Sequence, residues 1–133
     1  MSTVKSFSVG SMTVNAAMPS ALEQDEVLSL IGAQVISRAV NAATVGHTVG
    51  VDSLTNMFVC MPSEIKHRVA TILLGKVMTH GTGTAITIAD FQGKLIEYNK
   101  LLAELTLWNY GDFFAWLSRD VNVEAPGQPE TAQ

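Results

Sequence analysis

Between Ile88 and Leu105, apolar side chains recur at alternating intervals of three and four residues: Ile88, Phe91, Leu95, Tyr98, Leu102 and Leu105. Only a helical period brings such positions onto one face, so this stretch predicts an amphipathic helix of about five turns. Leu101 and Trp108 widen the stripe, while Lys94, Glu97, Lys100 and Glu104 line the other side. Thr87-Ile88-Ala89-Asp90 reads as a capping box with Asp in the Glu position, which would open the helix at Ile88. A stripe this wide must be buried against something, so the rest of the chain has to supply the other half of a core.

Three more helices follow from the same argument. Ser20-Ala21-Leu22-Glu23 fits a capping box, and Glu23, Asp25 and Glu26 suit the positive end of a helix dipole. Val27, Leu28, Ile31, Val35, Ala39 and Ala42 then form one stripe, fading near Thr44 before Gly46 and Gly50. A short helix is expected from Asp52 to Met61, with Leu54, Met57, Phe58 and Met61 on one side and Pro62 as its stop. Ser63-Glu64 looks like the next cap, and Ile65, Val69, Ile72, Leu73 and Val77 predict a third helix stopping at Gly81. Asn109-Tyr110-Gly111-Asp112 either breaks or kinks the last helix ahead of Phe113-Phe114-Ala115-Trp116-Leu117.

The N-terminus has a different period. Phe7 and Val9, then Met12 and Val14, alternate with small polar residues on either side of Gly10-Ser11. A two-residue type II′ turn there pairs Val9 with Met12, Phe7 with Val14 and Lys5 with Ala16, which puts the apolar set on one face. An isolated hairpin is marginal, so it must lie on the helices. The expected fold is mainly α: an N-terminal β-hairpin (about 4–17) packed on a compact bundle of four to five helices. Residues 1–121 are expected to form one domain, and 122–133, with Pro126, Gly127 and Pro129, a disordered tail.

Composition narrows the function. Asp, Glu, Lys and Arg make up 15% of the 133 residues, against about 25% in an ordinary soluble domain. At 47% apolar the chain is too hydrophobic to stay disordered. A net charge of −4 argues against a nucleic-acid binder held by phosphate contacts. The stretch Ala39–Ser63 has Asp52 as its only ionised side chain, but its Asn, His, Gly and Pro residues do not suit a membrane span. No signal peptide is read at the N-terminus, so a soluble protein that stays where it is made is expected.

Catalytic and metal chemistry finds little support. Gly81-Thr82-Gly83-Thr84 resembles a phosphate loop, yet a helix is expected before it and no Lys follows until Lys94. His47, His67 and His80 lack the four-residue spacing of a helical zinc pair. Cys60, the one cysteine, lies at the end of an apolar helix and reads as a buried small hydrophobe. No Gly-x-Ser-x-Gly elbow is present. No catalytic residues, cofactor or metal are expected, and the chain reads as a non-enzyme.

The aromatic end is the better candidate. Trp108, Tyr110, Phe113, Phe114, Trp116 and Leu117 cannot all face one core, because on one helix Phe113 and Phe114 diverge by about 100°. Either the hairpin and the long helices cover them between them, or part of the cluster is a surface for a partner. Met57 and Met61 pose the same choice between core filler and adaptable contact. The charge deficit concentrates in Ala39–Ser63, Val77–Ala89 and Leu105–Gly111, the surfaces a partner would be expected to cover.

This order of parts resembles the tail assembly chaperones of long-tailed bacteriophages. The resemblance rests on the short strand pair, the opening Pro19-Ser20-Ala21-Leu22-Glu23, the helical body, the ending Asp112-Phe113-Phe114-Ala115-Trp116-Leu117 and the Pro/Gly/Gln tail. It spans roughly Val4 to Arg119. The resemblance implies a protein that binds the tape measure protein, keeps that long apolar chain soluble and promotes tail tube assembly. It also implies tail tube protein as a further partner, action in the host cytoplasm, absence from the mature virion, and a possible frameshifted longer form diverging near Asn122. Neither nucleic acid nor membrane is an expected partner, and homo-oligomerisation stays open. The alternatives are a self-assembling phage structural subunit and a small inhibitor of a host complex.

Overall fold

The computed structural model describes residues 3–124, with side chains for 3–119. β1 (Val4–Val9) and β2 (Met12–Ala17) pair antiparallel, with Val9 opposite Met12, Phe7 opposite Val14 and Lys5 opposite Ala16. This is the expected register. Gly10, at φ 58°, supplies the left-handed conformation that the tight turn needs. Phe7, Val9 and Val14 are buried and Met12 packs against them. The outer face is polar: Ser6 donates to Asn15 at 2.6 Å, and the Ser8 and Thr13 hydroxyls lie 3.2 Å apart.

Helix α1 (Ala21–Thr44) opens on the expected capping box. The Glu23 amide donates to Ser20 Oγ at 3.2 Å, and the Ser20 amide donates to Glu23 Oε1 at 3.0 Å. Val27, Ile31 and Val35 form its buried stripe. By length and composition α1 could cross a membrane; in this fold it packs against the two helices α3 (Ser63–Leu73) and α5 (Gly111–Glu124). Helix α2 (Val51–Cys60) buries Leu54, Met57 and Phe58, and Met61 follows them inside. Ser63 does not cap α3, whose preceding residue Pro62 makes no side-chain capping bond.

The third helix is shorter than its periodicity suggests. It ends at Leu73, and Val77–Thr79 forms a strand, β3, paired antiparallel with β2. The sheet order is β1-β2-β3. Val77 is buried in the strand as it would be in a helix, so its four-residue spacing from Leu73 could not separate the two periods. What decides is the open edge of β2, whose amides and carbonyls need partners that Val77–Thr79 supplies. The far edge of β3 is covered in turn, with Thr79 donating to the Thr84 carbonyl at 2.8 Å and Ile86 to that of Val77 at 3.2 Å.

The long terminal stripe is also divided. The Thr87 capping box forms, with the Thr87 amide donating to Asp90 Oδ2 at 2.9 Å, but it closes only a single tight turn, Ile88–Phe91. Gly93, at φ 77°, then reverses the chain, and α4 runs Leu95–Asn109. The interruption lets Phe91 enter the core while Ile88, Leu95 and Ile96 stay exposed. Helix α4 is the centre of the molecule: it packs against β1, α2, α3 and α5, and Leu101, Leu102, Ala103 and Leu105 are inaccessible. Burying each such leucine stabilises the fold by about 1.5–3 kcal/mol.

Tyr110 separates α4 from α5. The result is mainly helical, with the N-terminal hairpin packed on five helices and enlarged by one strand. The expected tail boundary at 122 falls inside α5, which reaches Glu124; residues 125–133 lie outside the described region. Cys60 is exposed, contrary to its expected burial. It sits about 200° around the helix from Phe58, on the side of α2 turned from the core.

Candidate partner-binding groove

Gln24 on α1 and Asn109 at the end of α4 are 85 positions apart and form a polar latch. Gln24 Nε2 donates to Asn109 Oδ1 at 2.9 Å, and Asn109 Nδ2 donates to the Leu105 carbonyl at 2.9 Å. Tyr110 adds a third bond, its hydroxyl donating to the Gln24 carbonyl at 2.8 Å. Burial pushes the Tyr110 phenol above its ordinary range, and the charge of Asp25 adds to that. The hydroxyl therefore remains a donor at neutral pH.

Above this latch lies an open groove of about 400 Å³ between α1 and the α4–α5 junction. Leu28 and Tyr110 contribute apolar lining, while Phe113 and Trp116 project from the first turns of α5. The two rings sit 5.8 Å apart at 38°. Trp116 is 47% exposed. Asp25 and Asp112 also line the groove, and Asp112 Oδ1 accepts from the Phe113 amide at 2.6 Å. Among the described residues the one ion pair is Glu26–Arg68, so neither groove carboxylate has a cationic partner.

The expected site residues are thus divided. Tyr110, Phe113 and Trp116 come together in the groove. Phe114 and Leu117 turn to the other side of α5, where they border a cavity of about 60 Å³ with Ala39, Ala43 and Val49. Leu117 is buried and belongs to the core. Trp108 is half-buried and meets Phe7 edge-on at 5.5 Å, so it joins helix to hairpin. Met57 and Met61 are 1% and 5% exposed, which makes them core fillers and not an adaptable surface.

The charge-poor segments need the same correction. Leu105, Thr106, Asn109 and Tyr110 are buried, so Leu105–Gly111 lacks charge mainly because it is interior. In Ala39–Ser63 the apolar side of α2 is likewise covered, although Val40, Val45 and Val59 remain exposed. Sequence reasoning overlooked Gln24, Asp25, Leu28, Asn109 and Asp112 as groove residues. Asp25 already had an explanation as a helix-start carboxylate, and Asp112 was read only as part of the break before Phe113, so neither pointed to a groove.

The remaining candidates lie elsewhere. His47, His67 and His80 are exposed and far apart in the chain, and His80 Nδ1 lies 3.3 Å from Asn15 Nδ2. Among the described residues no three His, Cys, Asp or Glu side chains gather as a metal site. The Gly81–Thr84 run follows a strand, with Gly81 at φ 92° and Gly83 at φ 69°, and turns the chain back along β3. Comparison with family models, characterised proteins and solved structures finds no match.

Proposed function

We propose that the chain is a tail assembly chaperone of a long-tailed bacteriophage. On this reading it binds apolar helical segments of the tape measure protein, keeps that protein soluble and promotes polymerisation of tail tube protein around it. The observation that carries the proposal is the exposed Trp116 beside Phe113 over a hydrogen-bonded floor. An indole left half in water beside a second ring, over a floor whose polar groups are already hydrogen-bonded, suits a helix-in-groove contact, where aromatic anchors supply most of the binding energy. The chain is then a binding protein and not an enzyme, works in the host cytoplasm during assembly, and leaves before the virion is complete.

Co-expression with the tape measure protein of the same phage tests this. The expected outcome is a soluble complex that co-purifies, and its loss on Trp116→Ala. An insoluble tape measure protein with no complex overturns the proposal. A second reading, a self-assembling structural subunit, draws on the exposed Leu22, Ile36 and Val40 along α1. Light scattering separates the two, because a structural subunit forms large assemblies without any partner.

A further inference from the structure

The groove joins two features that a purely apolar docking site does not need. Its rim pairs two aromatic rings, and among the described residues its only ionisable lining groups apart from Tyr110 are the carboxylates of Asp25 and Asp112. Among the described residues neither carboxylate has a cationic partner. A cation over an indole face is attracted by the ring quadrupole, and the attraction grows when carboxylates stand beside the ring. We propose that the groove reads a Lys or Arg side chain set among apolar residues on a helical segment of a partner protein, with Trp116 and Phe113 contacting its stem and Asp25 and Asp112 pairing its charge. This rests on the chaperone reading above and adds the chemistry by which a segment is chosen.

Charge separates this occupant from the other two. The chain's own C-terminal residues 120–133 carry Asp120, Glu124 and Glu130 and no Lys or Arg, so they bring like charge to two carboxylates. A second copy carries the same net −4, so self-docking works against the repulsion of the two whole molecules. A basic, apolar segment of another chain meets neither obstacle. It also gives specificity: an amphipathic helix without the cation would leave both carboxylates unpaired beneath it, at a desolvation cost.

Two synthetic amphipathic peptides of about five turns, identical except for a central Arg or Gln, test the proposal by calorimetry against the full chain. The expected result is binding of the Arg peptide about tenfold tighter at low salt, with the preference shrinking as salt rises. In the Asp25→Asn, Asp112→Asn double variant most of that preference should be lost, the remainder being the attraction of the Arg to the Trp116 ring. The side-chain carbonyl that Asp112→Asn retains can still accept from the Phe113 amide, and a cooperative melt lowered by no more than the loss of two helix-start charges checks the fold. Equal binding to the native chain, no binding of either peptide, or a preference that survives the double variant undiminished overturns the proposal. So does tighter binding of both peptides after removal of residues 120–133, or self-association that the double variant abolishes.

The chaperone reading fails or stands separately. If the peptides show no preference while Trp116→Ala still abolishes co-purification of the tape measure protein, only the cation proposal falls. If the preference holds while the tape measure protein never co-purifies, the groove serves another partner and the chaperone reading falls.

Discussion

At the residue scale, Tyr110 and Glu23 show how single polar bonds fix the ends of helices here. The Tyr110 hydroxyl reaches the Gln24 carbonyl at 2.8 Å from a largely buried ring. Tyr110→Phe keeps the ring and removes the bond, so chemical denaturation should show a loss of about 0.5–1.5 kcal/mol. Glu23 is different because its contribution depends on charge. The Ser20 amide, and then the Ser20 hydroxyl, hold the Glu23 carboxyl below its ordinary value. A carboxylate whose folded-state value is lowered contributes stability above its unfolded value, and that contribution is lost as pH falls through the folded one. Glu23→Gln should therefore melt below the native chain at pH 7, and the gap should close on acidification through the carboxylate range. A gap that widens on acidification would contradict the assignment.

At the element scale, what could be read from sequence depends on whether a local rule had a competitor. The hairpin register was legible because alternation, Gly10 and a two-residue loop all agree. The start of α1 was legible because Ser20 and Glu23 satisfy each other's needs within four residues. The single helix expected from Ile88 fails at Gly93, where the three-four spacing continues in sequence while the backbone turns away. Periodicity counts side chains and is blind to one left-handed residue. Gly93→Ala tests this reading. A Cβ there would meet nothing within 4 Å, so only backbone strain is added. A loss of about 1–2 kcal/mol is expected, measured by urea unfolding. No loss would mean that the break at Gly93 is not needed to seat Phe91.

At the scale of the whole molecule, the groove was only partly legible, because its floor is made by residues far apart in the chain. Trp116 and Phe113 stand out as aromatics in a short helix, but nothing local says that Gln24 will lie under them. Nor does the composition of the aromatic run say which side of α5 faces the core; the packing of α1 against α5 decides that. The decision is sharpest at two adjacent residues. Leu117 is 4% exposed and Trp116 is 47% exposed, although both are large and apolar. Leu117→Ala removes buried methyl groups beside an existing small cavity, so it should cost about 2–5 kcal/mol and lower the melting temperature. Trp116→Ala removes a ring that is half in solvent but touches Phe113, so it should cost about 0.5–1.5 kcal/mol, less than Leu117→Ala, while partner binding collapses. Thermal melts and pull-downs on both variants separate folding from contact. If Trp116→Ala instead lowers the melting temperature as far as Leu117→Ala does, the indole is part of the core, and the groove loses the anchor on which both proposals depend.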